Sequence, residues 1–350
     1  MLNPEVDKFL REVIEKRNNA ELDNLIEYEV LCGQAEGKSQ KTIDLTAMAV
    51  SKLKRFLREN GLPTDARMIG VPEMRSFVLH LQHAKRFAHH PCARSQQSGL
   101  SGLSINCYLR AIRAAFNRWV DEGLLERTPF SNVRIPKAPS KVIPTFSKQQ
   151  LDAFFRATDS GTPEGFRDYT LFLLYLDTMC RLSEATNATV EDLDLKERTL
   201  RVVGKGNRQR LVPFGVTVQK ALWKYLNLYR PESAVPNHDY LFLTRDGRRL
   251  TKNRVEQAMK KYGRRAGITG VRCSPHTLRH TACVMWIRNG GDIFSLQLIT
   301  GHRSLEVLRG YINLAQCDVN SAHRRHSPID NLDLRMPRTR RPKQQIMTFM

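Results

Sequence analysis

SPHTLRHTACVMWIRNGGDIFSLQLITGHRSLEVLRGY, residues 274–311, decides how the second half of this chain is read. Ser274-Pro275 predicts a helix start, because proline at the first helical position gives up no needed hydrogen bond and serine caps well. His276 and Arg279 then share one helix face at a spacing of three. Ala282, Met285 and Trp286 carry that helix inward until Gly290-Gly291 stop it. A second short helix from Asp292 brings Leu296, Leu298 and Ile299 to the core. Gly301-His302 turns the chain, and a third amphipathic run, Ser304 to Ile312, carries Tyr311. Two histidines, an arginine that keeps its charge and a phenol are the parts for nucleophilic attack on a phosphodiester: a cation for non-bridging oxygens, donors for the transition state, and an oxygen nucleophile.

Each residue also has a plainer reading. A tyrosine on an amphipathic helix usually packs in the core or at its rim. Cys273, His276 and His280 invite a metal reading, yet they lack a matched second pair and no zinc-finger spacing repeats nearby. Two features far upstream favour catalysis. TMCRLSEAT supplies Arg181, and RVVGKGNRQRLVPF supplies Lys205 at the turn of a predicted hairpin. GKGN there is not a nucleotide-binding loop, because the GxxxxGK[ST] spacing and the following helix start are missing.

With PHTLRH, ITGH and GYINL, these motifs make an ordered set that resembles the tyrosine recombinases, the family of phage-type integrases and Xer-type and Cre-type enzymes. In order they are Arg181, Lys205, His276, Arg279, His302 and Tyr311, with the tyrosine nine residues after the last histidine. The similarity runs from about residue 38 to about residue 320. One departure is plain: the family usually has Thr-Gly-Leu before the first arginine, and this chain has Thr178-Met179-Cys180. Met179 and Cys180 are soft apolar residues able to fill the same space.

The resemblance implies metal-free transesterification, with neither cofactor nor ATP. Tyr311 would form a 3′-phosphotyrosyl link, Arg181 and Arg279 would balance charge on the phosphorane, and His302 would hydrogen-bond a non-bridging oxygen. His276 is the candidate general base and Lys205 the general acid. It also implies double-stranded DNA recombination sites as partner, a Holliday junction intermediate, and a homotetramer on two duplexes formed from monomers or dimers in solution. An accessory DNA-bending or directionality protein is a further implied partner. The fold it implies is mainly α with small β elements (α+β): an all-helical core-binding domain and a mixed catalytic domain forming a C-shaped clamp.

Charge and composition fit such a partner. A formal charge of +21 on 350 residues and a pI near 10.0 point to a polyanion, nucleic acid ahead of a membrane surface. No run of eighteen apolar residues exists, and MLNPEVDKFLREV lacks a secretory apolar core, so the expected location is cytoplasmic and nucleoid-associated. Seven scattered cysteines (Cys32, Cys92, Cys107, Cys180, Cys273, Cys283 and Cys317) without a CxxC pair read as reduced thiols.

The length and the 41% hydrophobic share predict two domains with real cores. Residues 1–130 form the helical DNA-binding domain, with an extra helix in about the first 25 residues. Within it, residues 37–61 give a capped amphipathic helix with Ile43, Met48, Leu53 and Phe56 inward and Lys52, Lys54, Arg55 and Arg58 outward. A helix follows Pro72, residues 89–104 read as a Gly/Ser-rich loop, and residues 104–125 place Ile105, Leu109, Ile112, Ala115, Phe116 and Trp119 on one stripe. Lys52, Arg55, Arg110 and Arg113, with Arg208 in the hairpin, are the candidate DNA contacts. A proline-rich linker (131–146) leads to the catalytic domain (147–326). There Glu184 either orients Arg181 or is a surface carboxylate, residues 199–214 form the hairpin, and residues 239–251 a second β element around Asp246-Gly247. The basic tail, 327–350, has three open readings: disorder, DNA contact, or docking of Ile346, Met347 and Phe349 on a neighbour.

The favoured function is a site-specific recombinase of a mobile element, an integrase or transposase. Other readings are a Xer-type dimer resolvase, a type IB topoisomerase-like enzyme, and a non-catalytic DNA-binding regulator. The last explains the charge but not six ordered catalytic positions. A metal-dependent nuclease would need a carboxylate cluster that the sequence does not offer.

Overall fold

The computed structural model describes residues 20–83, 85–86, 96–136, 143–204, 208–234, 236, 239–302, 304–306, 308, 310–311, 323–324 and 327–332, with backbone only for 85–86, 96–98 and 331. The expected first helix up to residue 19, Lys205, Cys92, Cys317 and the tail from residue 333 lie outside these residues. The fold is mainly helical with small sheets, as the sequence reading has it. The chain divides into two compact units, Met1–Lys141 and Val142–Met350.

Among the described residues of the first unit four helices surround one core: α1 (Leu22–Ala35), α2 (Gln40–Glu59), α3 (Val71–His83) and α4 (Gly102–Asp121). Leu25, Leu53, Leu57, Phe77, Phe116 and Trp119 fill it, and Phe130 and, from the start of the linker stretch, Val133 join them. Two expectations shift. Met48 is 44% exposed, because α2 buries Ile43, Val50, Leu53 and Leu57 and Met48 falls outside that stripe. The stretch read as a loop contains β2 (Gln96–Gly99), paired antiparallel with β1 (Lys85–Arg86). Backbone pairing does not need the apolar alternation by which a strand is recognised.

The second unit starts with α5 (Lys148–Arg156), fixed by a capping box between Ser147 and Gln150. It continues with α6 (Pro163–Thr178) and the short α7 (Leu182–Asn187). A three-stranded antiparallel sheet follows: β3 (Leu193–Asp194), which the sequence reading did not name, β4 (Thr199–Val203) and β5 (Gln209–Pro213). Leu200 lies opposite Val212 and Val202 opposite Arg210, so these four share the inward face. α8 (Val216–Lys224) runs into a π-helical turn, Tyr225–Tyr229. The second β element reduces to isolated bridges, Leu243 to Arg249 and Thr189 to Tyr240, around a turn in which Gly247 takes φ +67°.

α9 (Lys252–Arg265), α10 (Pro275–Arg288) and α11 (Ile293–Thr300) follow, and the described residues of 305–311, Tyr311 among them, are helical as expected, with a 3-10 turn at Asp330–Leu332. Ser274 caps α10 with Pro275 next, and Asp292 caps α11. Leu298 is 76% exposed, a correction to its expected burial; on this two-turn helix Leu296 and Thr300 point inward and Leu298 points away. The main core gathers Phe154, Phe172, Leu174, Leu200, Val212, Leu222 and Leu278. A smaller cluster holds Met179, Ala282, Cys283, Val284, Ile287, Leu296, Leu308 and Tyr311.

Candidate active site

The C-terminal end of α11 organises the site. Gly301 caps it in the left-handed region at φ +66°, leaving the last carbonyls without partners inside the helix. Three arginines from three other elements fill that role. Arg279 Nη2 donates to Thr300 O at 3.0 Å, Arg181 Nη2 to Gly301 O at 2.9 Å, and Arg210 Nε to Ile299 O at 2.9 Å. Guanidinium groups suit this negative end of the helix dipole.

Arg181 is the N-cap residue of α7, and Glu184 one turn later receives both its backbone N–H (2.7 Å) and its Nη1 (2.8 Å). Of the two open readings of Glu184, the orienting one holds: its side chain is 1% exposed. Arg210 binds the same carboxylate as a fork, Nη1 to Oε1 at 3.0 Å and Nη2 to Oε2 at 2.8 Å. Burial works to raise the Glu184 pKa, but the hydrogen bonds from Arg210 and Arg181 outweigh it and hold it below the ordinary value.

Arg279 is buried at 6% exposed, and its Nη1 has no hydrogen-bond partner among the described residues. A buried guanidinium with an idle N–H carries a cost that an anion in the site would offset. His302 lies beside it, Nε2 at 3.3 Å from Arg279 Nη2 and Nδ1 at 2.9 Å from Thr300 Oγ1. The Thr300 hydroxyl donates its one hydrogen to Leu296 O at 2.7 Å, so it accepts from Nδ1–H. Nε2 is therefore the lone-pair nitrogen that faces Arg279. Burial, then Arg279, Arg181 and Arg210, push the His302 pKa down to about 4.

Tyr311 is 6% exposed within the smaller apolar cluster. Its ring centroid lies 4.9 Å from that of His280 and 6.3 Å from that of His302. Burial first, with the Cys283 thiol beside the hydroxyl, pushes the phenol up to about 12. His280 is buried with Nε2 unpartnered among the described residues, and burial lowers its pKa.

Arg181, Arg279 and His302 thus meet at one point, with Tyr311 next to His302. His276, the expected base, stands exposed one turn before Arg279, and the ring contacts of Tyr311 are to His280 and His302. Among the candidate DNA contacts, Arg55, Arg110 and Arg208 are exposed. Lys52 sits over the Tyr108 ring, and Arg113 over the Phe130 ring while donating to Val133 O.

Arg210, Thr300 and Cys283 were not singled out from sequence. A signal existed for Arg210, the one charge sharing a strand face with Val212; exposed Leu211 next to it disguises the alternation. The Met179 departure also gains meaning: it ends α6 at φ +50°, a conformation glycine takes freely, and its 2%-exposed side chain packs in the cluster of Tyr311.

Residues 144–317 match the model of the Phage integrase family. The chain is 33% identical over 280 residues to the tyrosine recombinase XerC of Oceanobacillus iheyensis, an alignment covering 79% of this chain and 86% of that protein. Among solved structures, a XerH site-specific recombinase bound to its palindromic difH substrate aligns with TM-score 0.67 at 18% identity, covering 93% of this chain and 89% of that one. The Tn1549 transposon integrase in complex with a circular intermediate DNA aligns with TM-score 0.66 at 19% identity, covering 87% and 99%.

Proposed function

The chain belongs to the tyrosine recombinase family, enzymes that cut and rejoin DNA strands at specific sites, and from that premise we propose that Tyr311 is its nucleophile and duplex DNA its substrate. Tyr311 Oη attacks the scissile phosphorus and the P–O5′ bond breaks, leaving a 3′-phosphotyrosyl link and a free 5′-hydroxyl. The phenolic proton passes to a base, for which His276 is the candidate, and Lys205 protonates the departing 5′-oxygen. A 5′-hydroxyl of the partner strand then attacks the link and releases Tyr311. The link conserves the energy of the phosphodiester, so the chemistry calls for neither ATP nor metal.

One observation carries this reading: Arg181, Arg279 and His302 converge on the end of α11 with an Arg279 N–H left idle. Planar guanidinium donors match the oxygens of a phosphorane. His302 needs a proton on Nε2 to donate to a phosphate oxygen, and an arriving phosphate supplies the negative charge that favours it. The assembly that goes with this chemistry is a tetramer on two duplexes, passing through a Holliday junction.

For the biological role we favour integration or transposition of a mobile element, on the long basic tail and the Met179-Cys180 variation. Xer-type dimer resolution is the second reading, and the identity to a XerC protein over most of its length favours it.

The test begins with a duplex selected by binding from a random library and nicked near the cleavage position so that the short fragment bearing the freed 5′-hydroxyl diffuses away. Wild type should give a covalent adduct on a denaturing gel, in EDTA as well, and Tyr311→Phe should give none while binding the intact duplex normally. Loss of binding with Tyr311→Phe would make the tyrosine structural, and an adduct that needs divalent metal would overturn the mechanism. The selected sequence separates the roles: element ends for a transposase, a single chromosomal site for a resolvase.

A further inference from the structure

Arg210 lies on the inward face of β5, across from Val202 on β4, just past the turn in which the sequence places Lys205. Its side chain is 17% exposed, and all three of its nitrogens are used: Nη1 and Nη2 on the two Glu184 oxygens, Nε on Ile299 O, and Nη2 again toward Thr300 O at 3.4 Å. Glu184 is saturated in turn. Its Oε1 accepts from Arg181 Nη1 and Arg210 Nη1, its Oε2 from Arg181 N–H and Arg210 Nη2, four bonds to four lone-pair sites. Gly301 lies directly against the same guanidinium, for a Cβ there would stand 2.9 Å from Arg210 Nη1 and 3.0 Å from its Cζ.

Resting on the reading that this site cleaves DNA, we propose that Arg210 is a positioning residue for the phosphate clamp. It joins the hairpin, the Arg181 arm and the end of α11 that orients Arg279 and His302 into one rigid unit. Four of the five N–H donors of Arg210 are spent inside the protein, so it acts through its neighbours and not on substrate. It fixes Arg181 through Glu184, and fixes Arg279 and His302 through the Ile299–Thr300–Gly301 backbone they share. Lysine would keep the charge but not the fork, since a single ammonium cannot span both carboxylate oxygens and the carbonyls.

The experiment compares wild type, Tyr311→Phe, Arg210→Lys and Arg210→Ala as full chains on the nicked duplex, with intact-duplex affinity, melting temperature and the titration of the His302 imidazole followed by NMR. Adduct formation should slow about tenfold in Arg210→Lys and about 100-fold in Arg210→Ala, the scale of a misplacement of roughly 1 Å, while Kd stays within about threefold. Burial is the main force lowering the His302 pKa, with Arg210 among the charges that add to it. The imidazole should therefore titrate higher in Arg210→Ala and stay near its wild-type value in Arg210→Lys. Wild-type rates in both variants overturn the proposal. So do losses that only track the melting temperature, with His302 unmoved in the variants that fold. If wild type gives no Tyr311-dependent adduct on a duplex it binds, the cleavage reading falls, and the imidazole titration, which needs no DNA, still decides whether Arg210 sets the environment of His302.

Discussion

Arginine clusters occur in both units with opposite charge balance. In the first unit Arg118 faces three carboxylates: it bonds Glu36, and its Nε and Nη1 lie 3.2 Å from Glu29 and 3.6 Å from Glu122. In the second, Arg181, Arg210 and Arg279 gather around one carboxylate, Glu184, and the end of α11. The first cluster has three carboxylates for two cations, Arg118 and Lys38, so its cations are satisfied in full, which is how a staple between helices is built. The second carries surplus positive charge and an idle N–H on the buried Arg279. Arginines are common in both units, so their number separates nothing; whether acceptors or donors are in excess distinguishes a structural tie from a site kept open for an anion.

The sharpest way to break this contrast is to remove one arginine from each cluster. Arg279→Ala should lower the cleavage rate by about 10³-fold, the upper range for losing a transition-state donor, with stability unchanged or improved because a poorly compensated buried charge is gone. Arg118→Ala should cost about 2–3 kcal/mol of unfolding free energy, since it leaves Glu29 buried without its cation, while the folded fraction binds and cleaves normally. Gel-based cleavage rates and urea denaturation read the two effects. If Arg279→Ala proves as destabilising as Arg118→Ala, the second cluster is also a staple and the contrast fails.

Acid should strike the units unequally. The folded pKa of His302 is about 4 against an ordinary 6.5, so between those values the unfolded chain holds a proton that the folded chain does not. Stability therefore falls as pH drops from about 6.5 toward about 4. His280 is lowered by burial and acts in the same direction. In the first unit Glu36 is held down to about 2 by hydrogen bonds from Arg118 and Lys38, so it stays ionised in the folded protein throughout that window; its exposure makes its own contribution small. Amide hydrogen exchange at pH 7 and pH 5 should show α10 and α11 losing protection before α1 and α4. Uniform loosening would mean that the two histidines do not set the acid response.

The sequence made the helical plan, the hairpin and the cap of α10 readable because each rests on local chemistry: apolar spacing, a capping serine, a proline at the first turn. The ordered motifs named the family for the same reason, since spacing along the chain is all they require. What stayed hidden depends on residues meeting from far apart. Arg210 reaches Glu184 across 26 positions and Ile299 across 89, and no periodicity announces such a pairing. Leu298 and Met48 were misplaced because an apolar residue one step off the stripe looks, in sequence, like part of it. The glycine missing before Arg181 was visible as a departure, whereas the left-handed turn that Met179 adopts there emerges only from the backbone.

The smallest effect carries the contrast to the surface of the first unit. Arg55 and Arg110 are exposed and without a partner among the described residues, while Arg113 is tied to Val133 O at 2.9 Å and lies over the Phe130 ring at 5.2 Å. If an unpartnered arginine marks a nucleic-acid contact, Arg55→Gln or Arg110→Gln should each reduce the slope of log Kd against log salt by about 1, with only a few-fold loss of affinity near physiological salt. Arg113→Gln should leave that slope alone and instead cost about 1 kcal/mol of stability, from the lost hydrogen bond and the lost cation–π contact. Fluorescence anisotropy on a labelled duplex across about 50–200 mM salt resolves a difference of one released counterion. A slope that changes with Arg113 as it does with Arg55 would mean that a bonded arginine in this unit can leave its partners for a phosphate, and acceptor balance would then identify ligand sites only where the guanidinium is buried.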